Sequence, residues 1–231
     1  LPGGSHYSGL AAWCQRHSQV GQWKKAVDDA SQRLQRDESD QRKIAKYYAE
    51  RANGYSNLGE WKKVLADFGA AINLNPQDPR LYAERGNAHC MLAQWGEVVA
   101  DCTRALDLEP GNAAKSFCNR AVAYRMTGKL VESTKDCTSA IDLMDGRDPR
   151  AFLIRSMAYR QMGAWVKVRQ DLTSVLSLTP YDTTALCARG AALGKLGCFD
   201  DAIKDLTQAI NIDPNFASAY FNRAVAYRML E

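Results

Sequence analysis

Between Pro79 and Asn112 the apolar and small residues fall at helical spacing twice over. Tyr82, Arg85, Gly86 and His89 recur on one face; after a break at Ala93-Gln94, Val98, Cys102 and Ala105 do the same. Such spacing predicts two short amphipathic helices packed back to back, each burying one stripe against the other. Small residues at Gly86 and Ala105 allow the backbones to approach, and Pro110 with Gly111 ends the second helix. The unit is a helical hairpin 34 residues long.

The same pattern recurs along the chain. Aligned on the interhelix glycine and the aromatic after it, copies span 7–40, 45–78, 79–112, 114–147, 149–182 and 183–216, with a partial copy at 217–231. The turn slot holds Gly21, Gly59, Ala93, Gly128, Gly163 and Gly197; two residues on stand Trp23, Trp61, Trp95, Leu130, Trp165 and Phe199. Closing prolines stand at Pro76, Pro110, Pro180 and Pro214. A period in this range means stacked repeats, in which each unit contacts only its neighbours. The expected architecture is all-α, six full repeats plus one extra helix.

These slots resemble the tetratricopeptide repeat pattern: a small residue in each helix, an aromatic at the turn, alanine near the end and a final proline, over residues 7 to 231. The resemblance implies a right-handed α-solenoid whose inner groove, lined by the first helix of each pair, commonly holds a peptide or a partner helix. It implies no chemistry and no cofactor.

Charge changes this picture little. Residues 1–113 carry fourteen charges of each sign and 114–231 carry sixteen basic against twelve acidic, for a net +4. That balance is far from a nucleic-acid footprint and tilts the second half toward acidic partners. Seven cysteines, an odd number without a CxxC pair, read as thiols in a reducing, cytoplasmic setting, with Cys102 and Cys137 in the buried stripe of the second helix. No apolar run approaches the ~20 residues of a membrane span, and no signal peptide is evident. Residues 1–6 read as a tag or linker.

The ends are the least regular parts. The first copy lacks its closing proline and is followed by four extra residues, Gln41 to Ile44; one-residue insertions at Ala113 and Asp148 flank the fourth copy. Those insertions predict a change of stacking, with Gly146 turning the chain, but not a domain boundary. NRAVAYRM occurs at 119–126 and again at 222–229. The second occurrence leaves an apolar face in need of a partner, which predicts that the natural polypeptide continues or that the last helix self-associates.

Six copies carry Arg just before the small residue of the first helix, where the family usually has an apolar residue: Arg51, Arg85, Arg120, Arg155, Arg189 and Arg223. Six carry Asp in the second helix: Asp29, Asp67, Asp101, Asp136, Asp171 and Asp205. The two sets are offset by one unit, because the first copy has Trp13 in the Arg slot. Pairing each Asp with the Arg of the following unit therefore predicts Asp29–Arg51, Asp67–Arg85, Asp101–Arg120, Asp136–Arg155, Asp171–Arg189 and Asp205–Arg223; the alternative is independent surface pairing within each unit.

Catalytic signatures are missing: no glycine-rich phosphate loop, HExxH, CxxC or nucleophile elbow is present. His17 and His89 occupy the slot that holds Tyr55, Tyr124, Tyr159 and Tyr227 elsewhere, so they read as packing. The groove is expected to be polar at Glu50, Asn53, Glu84 and Asn87. It then becomes basic and apolar at Lys115, Asn119, Val122, Arg125 and Met126, and at Arg150, Leu153, Ile154, Met157 and Arg160. Such a surface suits a protein segment with hydrophobic anchors and carboxylates. Asn87, Asn119 and Arg150 resemble part of the clamp with which some family members hold the acidic tails of heat-shock chaperones. Ala83 and Ile154 stand where that clamp needs Lys and Arg, which argues against it. The expectation is a non-catalytic adaptor; the competing reading is a regulatory region of a larger multidomain protein, an enzyme included.

Overall fold

Turn chemistry sets the element boundaries in this computed structural model, which describes residues 5–36, 39–112 and 114–230, with side chains from Gln19 onward apart from Asn112. At the start of four first helices an aspartate in extended conformation forms the cap. Asp40, Asp78, Asp148 and Asp182 each accept a backbone N–H from the following turn, and Pro79 and Pro149 fill the first helical position. The inserted Asp148 is thus one of the caps. Where the first helix ends, the chain turns through a left-handed residue: Gly59, Gly128, Gly163 and Gly197 at φ of 74–79°, and Ala93 at φ 55°. The next N–H donates five residues back, as from Glu60 to Tyr55 O at 2.9 Å and from Lys129 to Tyr124 O at 2.8 Å. That is a helix end closed on its own carbonyls.

The described residues form two compact units, divided at Pro110 and Gly111 next to the insertion at Ala113, where the sequence predicts only altered stacking. The first holds α1 (Ser5–Leu34), α2 (Gln41–Asn57), α3 (Trp61–Leu74), α4 (Pro79–Met91) and α5 (Trp95–Leu108). Its core gathers Val64, Phe68, Ile72, Leu81 and Ala105. The second holds α6 (Ala114–Met126), α7 (Leu130–Leu143), α8 (Pro149–Gln161), α9 (Trp165–Leu178), α10 (Thr183–Lys195), α11 (Phe199–Ile212) and α12 (Ala217–Arg228). Leu172, Val175, Leu186 and Leu206 lie at its centre, none more than 1% exposed. Burying each such leucine contributes about 2–3 kcal/mol. Within each unit a second helix packs on the first helix that follows it, as α3 does on α4 and α9 on α10.

Five hairpins are closed, α2/α3, α4/α5, α6/α7, α8/α9 and α10/α11, and the close approach expected at the small slot is real. A Cβ on Gly190 would stand 2.7 Å from Leu206 Cγ, and one on Gly86 3.2 Å from Cys102 Sγ. The first copy differs from expectation. In place of a hairpin turning at Gly21, α1 is one helix of 30 residues running through that glycine. The local turn signal at Gly21 matches that at Gly59, so the difference lies in what ties the two helices together. The slot of Arg51 is held by Trp13, so Asp29 has no arginine to hold a first helix against it. The side chains of His6, Trp13, Cys14 and His17 lie outside the described residues.

Candidate functional site

Each hairpin is locked by one arginine and one aspartate, and the pairing is not the one the sequence offset suggests. Arg51 donates Nε–H to Asp67 Oδ2 at 2.8 Å and Nη2–H to Oδ1 at 2.7 Å. The same fork joins Arg85 to Asp101, Arg120 to Asp136, Arg155 to Asp171 and Arg189 to Asp205, at 2.6–3.0 Å. Every pair lies within one hairpin, 16 residues apart. The expected Asp29–Arg51, Asp67–Arg85, Asp101–Arg120, Asp136–Arg155, Asp171–Arg189 and Asp205–Arg223 are therefore replaced. The cause is the small residue next to each arginine, which brings the helix onto its own partner and puts the guanidinium in reach of that partner's carboxylate. The aspartates Asp67, Asp101, Asp136, Asp171 and Asp205 are only 4–7% exposed, and the forks raise the pKa of Arg51, Arg85, Arg155 and Arg189 above the ordinary arginine value. Two planar bonds per pair supply specificity as well as attraction.

The remaining guanidinium nitrogen links repeats. Arg155 Nη1 donates to Thr138 Oγ1 at 2.9 Å, Arg189 Nη1 to Thr173 Oγ1 at 3.3 Å and Arg223 Nη1 to Thr207 Oγ1 at 3.1 Å. Each hydroxyl stands two residues past the aspartate of the preceding second helix. Sequence reading missed it, although a hydroxyl residue recurs there at Ser31, Thr103, Thr138, Thr173 and Thr207. His89 packs beside this array, with Nδ1 2.6 Å from Gln94 Oε1 and Nε2 3.7 Å from Asp101.

In the first unit, the expected groove residue Asn53 lines a cleft of about 480 Å³ between α2 and α4, floored by Ala45, Ala49, Leu81 and Phe68. Asn87 is half-buried and is not among its lining residues. Arg42, Lys46 and Arg80 form its rim. Arg42 falls among the extra residues Gln41 to Ile44, outside the repeat slots, and Lys46 stands one residue inside the second copy; their spacing with Ala49, Glu50 and Asn53 is that of one helical face. Both signs meet here: Arg33 reaches Glu50 at 2.9 Å and Arg80 reaches Asp78 at 3.1 Å.

In the second unit, Lys115, Asn119, Val122 and Arg125 are half-buried on α6, while Arg150, Met157 and Arg160 are exposed on α8. These two helices are neighbours. Asn119 Nδ2 and Arg125 Nε are shielded from solvent and have no acceptor among the described residues. Each such donor costs about 1–3 kcal/mol while unmatched. Arg150 is engaged by Asp148 at 2.6 Å, which holds that carboxyl below its usual range. Its charge is therefore largely spent locally, contrary to a free basic rim.

The buried thiols are packing groups. Cys102 and Cys137 are fully buried, as expected of the second-helix stripe, and six cysteines are free among the described residues. Burial pushes Cys137 up to about 12 and Cys90 and Cys118 up to about 11, which withholds the thiolate. Among the described residues no helix is long and apolar enough to cross a membrane.

Comparison with known proteins agrees with the geometry. The family model for the TPR repeat matches residues 195–230. No curated protein matches the chain. Among solved structures, a tetratricopeptide repeat protein from Parabacteroides merdae is 14% identical, with a TM-score of 0.73 over 99% of this chain and 88% of that one. YrrB, described as a TPR protein with an unusual peptide-binding site, is 18% identical, with a TM-score of 0.68 over 86% of this chain and all of its own. MamA is 16% identical, with a TM-score of 0.66 over 75% and 93%. The fold is one consistent with protein–protein interaction scaffolds and is typically non-catalytic. Residues 195–230 thus match the TPR repeat model, and the described residues have the all-α repeat fold of tetratricopeptide repeat proteins.

Proposed function

We propose that this protein is a non-catalytic adaptor that takes a protein segment on the face of α6 and α8, anchored by apolar side chains and steered by carboxylates. The observation that carries this reading is the pair of shielded donors, Asn119 Nδ2 and Arg125 Nε, which have no acceptor among the described residues. A segment laid across α6 would supply backbone carbonyls or carboxylates to both, offsetting their desolvation. Val122 and Met157 offer apolar contact nearby, Met157 with 38% of its surface open. Arg160 adds an exposed cation from α8. Lys115 and Arg150 stay in the proposed surface as contributors of shape and polarity, while Asn53 and Asn87 offer a separate polar surface in the first unit. The free, partly buried cysteines favour a reducing, cytoplasmic setting.

The test is a peptide array of acidic–hydrophobic sequences probed with the whole chain and with Asn119→Ala and Arg125→Glu/Arg160→Glu variants. Peptides held by the parent should weaken by about tenfold or more when the charges are reversed. Binding of such peptides that is indifferent to both variants would overturn the assignment of this face.

A further inference from the structure

In each closed hairpin the residue one helical turn after the forked arginine decides what fills the space beside it. That residue is Tyr55, His89, Tyr124 or Tyr159, but Leu193 in α10. The rings of Tyr55 and Tyr124 lie against the guanidinium carbons of Arg51 and Arg120, with centroids 6.0 and 5.8 Å away. A lysine also closes over each tyrosine: Lys63 on Tyr55 at 4.9 Å, Lys129 on Tyr124 at 5.9 Å and Lys167 on Tyr159 at 5.0 Å. His89 fills the same slot in α4 and is tied to Gln94. Leu193 has no ring to place there. Beside it opens a cavity of about 360 Å³, lined by Arg189 of α10, Arg169 and Thr173 of α9 and Lys204 of α11.

Charge changes at the same place. Around this cavity Arg189 forks onto Asp205 at 2.7 and 2.8 Å, and Lys204 holds Asp201 at 2.9 Å. Arg169 is left over: it is half-buried, lines the cavity, and its guanidinium has no acceptor among the described residues. Two residues before the fork aspartate, the other closed hairpins have Leu65, Val99, Thr134 and Ile203 in place of this arginine. One cavity has thus lost the ring that its counterparts carry and gained a cation that they lack.

We propose that this cavity binds a small aromatic carboxylate, its ring set against Leu193 and Arg189 where the other hairpins place a tyrosine, and its carboxylate received by Arg169. The ring gains a cation–π contact with a guanidinium whose orientation is already fixed by its fork. The carboxylate gains charge-assisted hydrogen bonds from a planar donor that is otherwise unmatched. A volume near the lower end for ligand pockets suits one ring with a short acid arm. Selectivity follows from the two halves together. A neutral ring leaves Arg169 unanswered, and an acid without a ring leaves the wall at Leu193 uncovered. The site uses α9, α10 and α11, so it stands or falls independently of the segment-binding face on α6 and α8.

NMR titration of the full 231-residue chain with phenylacetate tests the proposal. Binding should show a Kd on the order of 1 mM or tighter, as befits a ligand of this size. Benzyl alcohol, which keeps the ring, and acetate, which keeps the acid, should each bind at least about tenfold more weakly. Leu193→Tyr supplies from within the ring that the other hairpins carry and should abolish binding, with circular dichroism unchanged. Arg169→Ala alters a residue that makes no internal bond, so the fold is kept, and it should weaken phenylacetate by about tenfold. Absence of phenylacetate binding at about 10 mM overturns the proposal. So does undiminished binding by a folded Leu193→Tyr variant or by Arg169→Ala, and so does acetate binding as tightly as phenylacetate.

Discussion

Asp29 and Asp136 occupy the same slot of the repeat and meet opposite fates. Asp136 is 6% exposed and held by both forks of Arg120, in a hairpin that turns at Gly128. Asp29 is exposed, and its stretch runs on as one helix through Gly21. Both regions have the turn glycine, a large apolar side chain two residues later and the second-helix stripe. What they do not share is the arginine. The comparison assigns the closing of a hairpin to a long-range polar tie laid over a local turn preference, because local chemistry alone is present in both places.

The largest effect should come from cutting that tie. Asp136→Ala leaves Arg120, 17% exposed, without its carboxylate. It should cost about 3 kcal/mol in urea unfolding followed by circular dichroism, near the lower end of the range for breaking a desolvated pair. Asp29→Ala should change stability by less than about 0.5 kcal/mol, as surface positions do. Equal costs at the two positions would break the comparison, for Asp29 would then have a structural partner.

The repeats, their boundaries and the helical class were legible in the sequence because each rests on local signals: capping aspartates, turn glycines and 3.6-residue periodicity. The fork residues were legible as a recurring set, but their partners were not. Sequence offers two bookkeepings, within a unit or between units, and counting matched residues favours the wrong one. The right one follows from the approach of backbones at Gly86, Ala121 and Gly190, a three-dimensional fact. The groove was only half legible for a similar reason. Spacing placed Asn119 and Arg125 on one face, but only coordinates show that their donors are shielded and unmatched, and that Arg150 is taken by Asp148.

Glycine substitutions sharpen the comparison with effects of about 1 kcal/mol and opposite sign. At Gly163, φ is 74°, so Gly163→Ala should destabilise by about 1 kcal/mol. At Gly21 the backbone is helical and an added Cβ would meet nothing within 4 Å. Gly21→Ala should therefore stabilise by about 0.5–1 kcal/mol. Ala93→Gly should also stabilise, by a similar amount, because Ala93 already sits at φ 55° without the freedom of glycine. A destabilising Gly21→Ala would mean that the chain turns there after all.

The smallest effect concerns the hydroxyl that ties one repeat to the next. Thr138→Val keeps the branched shape and helix propensity of the side chain and removes the acceptor for Arg155 Nη1, 2.9 Å away. Arg155 keeps its fork on Asp171, and the freed N–H lies near enough to the surface to meet water. The loss should thus be about 0.5 kcal/mol, the lower end for a net hydrogen bond. Its location matters more than its size. A fork stabilises the hairpin that contains it, whereas this bond joins α7 to α8, so its removal should lower the coupling between neighbouring repeats while each hairpin stays intact. Amide exchange separates the two outcomes. Exchange in α7 should become less correlated with that in α8, with protection inside α8/α9 unchanged; a uniform loss throughout the second unit would instead place the threonine in the common core.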